Sequence, residues 1–135
     1  MSYGIEDIEG IGPAYGEKLK AAEIKTTNDF LKLCCDKKAR KTVAEQTTIS
    51  ETLILKWANL ADLMRLNGVG PQFSELLEAA GVDTVKELRH RNAENLAAKM
   101  GEINEEKKLT RRVPDAAAIQ GWIDEAKTTD PTITH

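Results

Sequence analysis

The chain has 135 residues, 41% of them hydrophobic, with 19 Lys and Arg against 22 Asp and Glu for a formal net charge of -3. That size holds one domain or two very small ones, and no apolar run approaches the roughly 20 residues of a membrane-spanning helix. The acidic balance argues against strong nucleic-acid binding of the globally basic kind, because phosphate contacts draw on a surplus of Lys and Arg.

Read from the N-terminus, MSYGIEDIEG carries no basic stretch ahead of an apolar one, so it does not read as a secretory signal, and the expected location is cytoplasmic. A short helix is expected to end near Ile8, with Glu9 to Gly12 as a turn and Pro13 opening the next helix, where its missing N–H costs nothing. Tyr15 and Leu19, four apart, share the inward face of that helix. Cys34 and Cys35 are adjacent, a spacing that strains a disulfide, and neither His90 nor His135 stands at ligand spacing from them. Both thiols therefore read as structural, and the sequence implies no metal and no cofactor.

Lys37, Lys38, Arg40 and Lys41 form a basic cluster ahead of VAEQTTISETLILKW, residues 43–57, which has the outline of a helix-turn-helix offering Glu51, Thr52 and Lys56 to a groove. Its second helix, however, runs on from Ser50 through ETLILKWANLADLMRL without Gly or Pro. That run reads as one helix, about 50–66, linking two halves of the chain rather than lying in DNA. Gly68-Val69-Gly70 is the second turn and Pro71 opens the helix after it, which Gly81 is placed to end. Thr84 with Glu87 predicts a capping box, Asn92 caps a helix running to about Met100, and Asp115 caps the last helix. Between them lies a second basic cluster, Lys107, Lys108, Arg111 and Arg112, preceded by Glu102, Glu105 and Glu106. The closing TTDPTITH, 128–135, reads as a flexible tail.

The chain repeats itself. Laying residues 8–30 over 66–88 matches 8 of 23 positions, among them Gly10/Gly68, Gly12/Gly70, Pro13/Pro71 and Leu19/Leu77, with apolar pairs at Ile11/Val69 and Tyr15/Phe73. Further on, Ile54 and Trp57 match Ile119 and Trp122, so the second unit carries seven extra residues near Met100 to Val113. The expected units are 1–59 and 60–127. The equivalence of the two tryptophans points to core packing. With no strand-like alternation anywhere, the fold class is all-α.

Both IEDIEGIGPAYGEKL and LMRLNGVGPQFSELL resemble the helix–hairpin–helix motif: spaced apolar residues, Gly, apolar, Gly, then a helix with a small residue, Gly16 or Ser74, four positions on. So tight a turn needs positive φ and close backbone approach, Ile11 or Val69 plugs the space between the helices, and the small residue lets them touch. No strand precedes and no third glycine follows at dinucleotide-fingerprint spacing. The wider set IEGIGPAYGEKL, ISETLILKWANLADLMRLNGVG, LLEAAGVDTVKEL and NEEKKLTRR, roughly residues 5–127, resembles a bacterial family, domain of unknown function 4332. That resemblance implies two tandem helix–hairpin–helix repeats in one compact helical domain of the SAM and helix–hairpin–helix kind. It implies no activity.

In helix–hairpin–helix proteins such turns commonly hold DNA phosphates on backbone N–H groups at the positive end of the second helix. On that resemblance the candidate nucleic-acid-binding residues are Gly10, Ile11, Gly12 and Lys18 at the first turn, Arg65, Gly68, Val69 and Gly70 at the second, and Lys107, Lys108, Arg111 and Arg112. The usual cation after Gly-x-Gly-Pro is missing: Ala14 and Gln72 stand there. No nucleophile–base motif, Walker loop or HExxH occurs, so no catalytic residue, small-molecule substrate or membrane partner is expected. Two functions remain open: sequence-independent binding of DNA or RNA, or a protein-interaction scaffold anchored on Tyr15 and Phe73.

Overall fold

The computed structural model describes residues 3–135. Among them lie a single 3-10 turn, Ile5–Asp7, and eight helices: α1 Pro13–Ala21, α2 Thr27–Leu33, α3 Lys37–Thr47, α4 Glu51–Leu63, α5 Pro71–Ala79, α6 Val85–Leu88, α7 Ala93–Lys107 and α8 Ala116–Thr128. No strand forms among the described residues; one antiparallel bridge pairs Gly4 with Thr26. The molecule is all-helical, and no described helix is long and apolar enough to cross a membrane.

The internal repeat is structural. α1 and α5 begin and end 58 positions apart, and α4 and α8 begin and end 65 apart. Equivalent hydrogen bonds close the two turns: the Ile11 N–H donates to the Ile8 carbonyl at 3.2 Å and the Val69 N–H to Leu66 at 3.1 Å. Polar side chains set the helix starts by accepting from backbone N–H groups that have no partner within the helix. Ser50 Oγ accepts from Leu53 at 3.2 Å, Asn92 Oδ1 from Asn95 at 3.0 Å and Asp115 Oδ1 from Ala118 at 2.8 Å. Thr26 and Asp29 make a complete capping box at α2. At α6 only half of the expected box forms. Thr84 Oγ1 accepts from Glu87, but the Glu87 carboxylate is drawn to Arg91 Nη1 at 3.0 Å.

Two apolar cores result, one per repeat, and α4 serves both. Its Ile54, Trp57 and Leu60, with Met64 at its C-cap, enter the first core, whereas its last residue Leu63 and Leu66 beyond it belong to the second. The linking helix expected over about 50–66 ends at Leu63, its last residues continuing as a turn. Asp62, buried on α4, accepts from the Val85 N–H at 2.8 Å and from Arg65 at 2.7 Å, so one carboxylate in the linking helix caps α6 of the second repeat. α7 runs seven residues beyond Met100, because Leu96, Met100 and Ile103 continue the apolar stripe onto the second core. The seven extra residues of this repeat lengthen α7 and the loop after it.

The last residues differ from the flexible tail expected over 128–135. Ile133 is 5% exposed and joins the first core. The Thr134 N–H donates to the Cys35 carbonyl at 2.8 Å, and Arg40, 4% exposed, donates to the carbonyls of Cys34 at 3.0 Å and Thr134 at 2.7 Å. A buried isoleucine and a buried guanidinium that finds carbonyl partners hold this stretch down.

Candidate nucleic-acid interface

The two turns are built alike from the inside. Gly10 and Gly68 sit at φ +95° and +85°, and a Cβ on either would lie 3.4 Å from the indole Nε1 of Trp57 or Trp122. Each tryptophan thus lies beneath its own turn, as the repeat predicts, and each meets the aromatic residue of the following helix. The Tyr15 and Trp57 centroids are 5.1 Å apart at 62°, and those of Phe73 and Trp122 are 5.6 Å apart at 49°. The first pair is edge-on, a favoured arrangement for aromatic rings, and the second is tilted. Ile11 and Val69 are buried plugs and can offer a ligand only their backbone. The small residue four positions on has a different neighbour from the one expected. At Gly16 an added Cβ would meet the flexible Glu6 side chain at 3.1 Å, not a helix backbone.

From the outside the turns differ. Gly12, Pro13, Ala14 and Tyr15 are all exposed at the first tip. The N–H groups of Gly12, Ala14 and Tyr15 form no hydrogen bond among the described residues, and no side chain caps α1. Gly12 itself has φ -86°, and a Cβ added to it would meet nothing within 4 Å. At the second tip the N–H groups of Gly70, Gln72 and Phe73 are equally without partners, but the tip is partly covered. A cleft of about 600 Å3 lies there, walled by Gly68, Gly70, Pro71 and Phe73 on one side and by Glu6, Asp7 and Glu9 on the other. The two tips are therefore neighbours, since Glu9 of the first turn faces the second.

The expected cations fall into two groups. Arg65 is committed inside the fold, paired with Asp62 at 2.7 Å and donating to the Asp130 carbonyl at 2.9 Å. Lys18 is exposed on α1 with Nζ 3.2 Å from Thr48 Oγ1. Lys107, Lys108, Arg111 and Arg112 are exposed and form no ion pair among the described residues. Asn104 fixes the loop that carries them: its amide donates to the Thr110 carbonyl at 2.9 Å, its Oδ1 accepts from the Thr110 N–H at 2.9 Å, and its own carbonyl accepts from Lys108 at 2.8 Å. In the first basic cluster Arg40 is buried in its structural role. In the helix-turn-helix outline α4 presents Glu51, Thr52 and Lys56 to solvent but is buried from Trp57 to Leu63, so it cannot lie along a groove.

The sequence profile of the family described as domain of unknown function (DUF4332) matches residues 9–129, nearly the whole chain. The chain belongs to this DUF4332 family. No curated protein and no solved structure matches it. For this DUF4332 chain the site is thus defined by its own geometry. Sequence reasoning missed two parts of it. Asn104 gave no signal, since an asparagine near a helix end has many uses. Of the three carboxylates facing the second turn, Glu6 and Asp7 come from just before the first turn and Glu9 from the turn itself, and only the packing of one repeat on the other brings them there. Among the described residues no group of three or more His, Cys, Asp or Glu is arranged to hold a metal ion.

Proposed function

We propose that the chain is a non-catalytic helix–hairpin–helix module of the cytoplasm that grips nucleic-acid backbone phosphates without reading sequence. The first turn makes the grip, and the loop carrying Lys107, Lys108, Arg111 and Arg112 adds charge. The observation that carries this reading is Gly12. Its φ needs no glycine and its missing side chain makes room for none of the described residues, yet it stands at an exposed tip where its own N–H and those of Ala14 and Tyr15 have no partner among the described residues. A backbone left bare at the positive end of a helix is what a phosphate oxygen requires. The four loop cations supply the counterion release that the net charge of -3 does not.

Fluorescence anisotropy with labelled duplex DNA, single-stranded DNA and RNA, from low to physiological salt, tests this. Affinity should fall steeply with salt and depend little on sequence. Reversing Lys107, Lys108, Arg111 and Arg112 to Glu should flatten the slope of log K against log salt by roughly 0.9 for each phosphate no longer neutralised. Absence of binding at low salt would overturn the proposal. The second reading, a protein-interaction scaffold, is favoured by one observation: Tyr15 is 36% exposed at the first tip, an aromatic ring of the kind that anchors protein interfaces.

A further inference from the structure

We propose that the cleft at the second turn is a docking site for a lysine- or arginine-bearing segment of a protein partner. The inference goes beyond the phosphate grip, because it concerns the other turn and a ligand of opposite charge. The repeat makes the two tips alike from within, yet among the described residues only the second is partly covered. The stretch before the first turn is pinned by the Gly4–Thr26 bridge and by the Ile5 N–H donating to the Lys25 carbonyl at 3.1 Å. It sets Glu6 and Asp7, with Glu9 of the turn itself, across from Gly70, Pro71 and Phe73, and the Tyr3 hydroxyl reaches to within 3.9 Å of where a Gly70 Cβ would be.

The charge there is under-compensated. Glu6 pairs with Lys20, but Asp7 and Glu9 enter no ion pair among the described residues. Glu75, on the helix that forms the cleft wall, has its carboxyl pushed up from the ordinary range by burial and then by the nearby Glu9 carboxylate, against the pull of Lys56 and Lys107. The positive end of α5 counts for about half a charge, so the two unpaired carboxylates, Asp7 and Glu9, outweigh it and a phosphate is repelled. A bare metal ion is a poor fit as well, since these carboxylates do not converge into a coordinating group. A lysine or arginine side chain satisfies both walls. Its methylene stem lies along Pro71 and Phe73, and its head meets Asp7 and Glu9. The occupant is complementary in charge and in its mixed apolar and cationic character.

The test is a 15N-detected NMR titration of the full chain with an octa-lysine peptide, and with an octa-glutamate peptide, at about 0.15 M salt, where long-range surface attraction is screened. The Trp122 indole N–H abuts Gly68 and lies beside Phe73, so its resonance should move with octa-lysine while that of Trp57 stays. Octa-glutamate should move neither. In the double variant Asp7→Asn/Glu9→Gln the octa-lysine affinity should fall roughly tenfold, the combined worth of two partly exposed charge contacts. The control Glu105→Gln/Glu106→Gln, altering exposed carboxylates on α7, should keep the affinity. No octa-lysine binding, an equal loss in the control, or a shift at Trp57 instead of Trp122 would overturn the proposal. Duplex-DNA affinity should not fall in Asp7→Asn/Glu9→Gln, so the cleft and the phosphate grip stand or fall separately.

Discussion

Glu23 and Gly81 occupy the same place in the two repeats, just past the ends of α1 and α5, and both adopt positive φ, +67° and +95°. Glycine takes this conformation at no steric cost, whereas a glutamate there brings its Cβ against the carbonyl oxygen. The exposed Glu23 is thus a strained copy of a position that the second repeat solves with glycine. Glu23→Gly should stabilise the protein by roughly 0.5–1 kcal/mol, the relief of strain less the added freedom of the unfolded chain. Gly81→Ala should cost a similar amount through backbone strain alone, since its Cβ would stand 3.7 Å from Arg91 Nη1, an ordinary contact. Urea denaturation of both variants checks the pair; a loss of stability in Glu23→Gly would contradict the assignment. The mismatch is visible in the aligned repeats as Glu opposite Gly, but the strain is not, because nothing in the residue types says that both repeats must adopt positive φ there.

At the scale of elements, the parts legible in the sequence were those fixed by local chemistry. Pro13 and Pro71 open their helices, Ser50, Asn92 and Asp115 cap theirs, and Trp57 and Trp122 fall in the two cores. What escaped depends on distant partners. The end of α7 is set by Ile103 reaching the second core, and the closing stretch by contacts with residues nearly a hundred positions earlier. A segment of Thr, Asp and Pro has little helical or strand propensity, so composition alone reads it as loose; Ile133 is the one residue that could have signalled burial. Ile133→Ala should therefore lower stability by about 2 kcal/mol, as for a buried aliphatic side chain cut back to its Cβ. Thermal or urea unfolding of the variant measures this. An unchanged midpoint would mean that the closing stretch contributes nothing to the first core.

For the whole molecule, the internal repeat gives two turns with one interior, and the packing of the repeats gives them two exteriors. The first tip is bare, whereas Glu6, Asp7 and Glu9 stand across from the other. Function at the turns can be separated from folding because the second glycine of each turn is free of internal demand. Gly12 has nothing within 4 Å of its missing Cβ, and Gly70 has only the Tyr3 hydroxyl at 3.9 Å; their φ values of -86° and -91° suit any residue. Alanine at either place should leave the unfolding midpoint nearly unchanged, at a cost within about 1 kcal/mol for replacing a helix N-cap glycine. Their effects on ligand binding should diverge. A methyl group at residue 12 stands where a phosphate oxygen must approach the N–H groups of Gly12, Ala14 and Tyr15, so Gly12→Ala should weaken duplex-DNA binding roughly tenfold, the worth of about one charge-assisted hydrogen bond. Gly70→Ala should leave it unchanged, because on the proposed reading the cleft carboxylates repel phosphate at the second tip. Equal losses in the two variants would mean that both turns grip DNA and that the acidic wall does not shield the second. No loss in either, with binding intact, would move the contact to the Lys107–Arg112 loop alone.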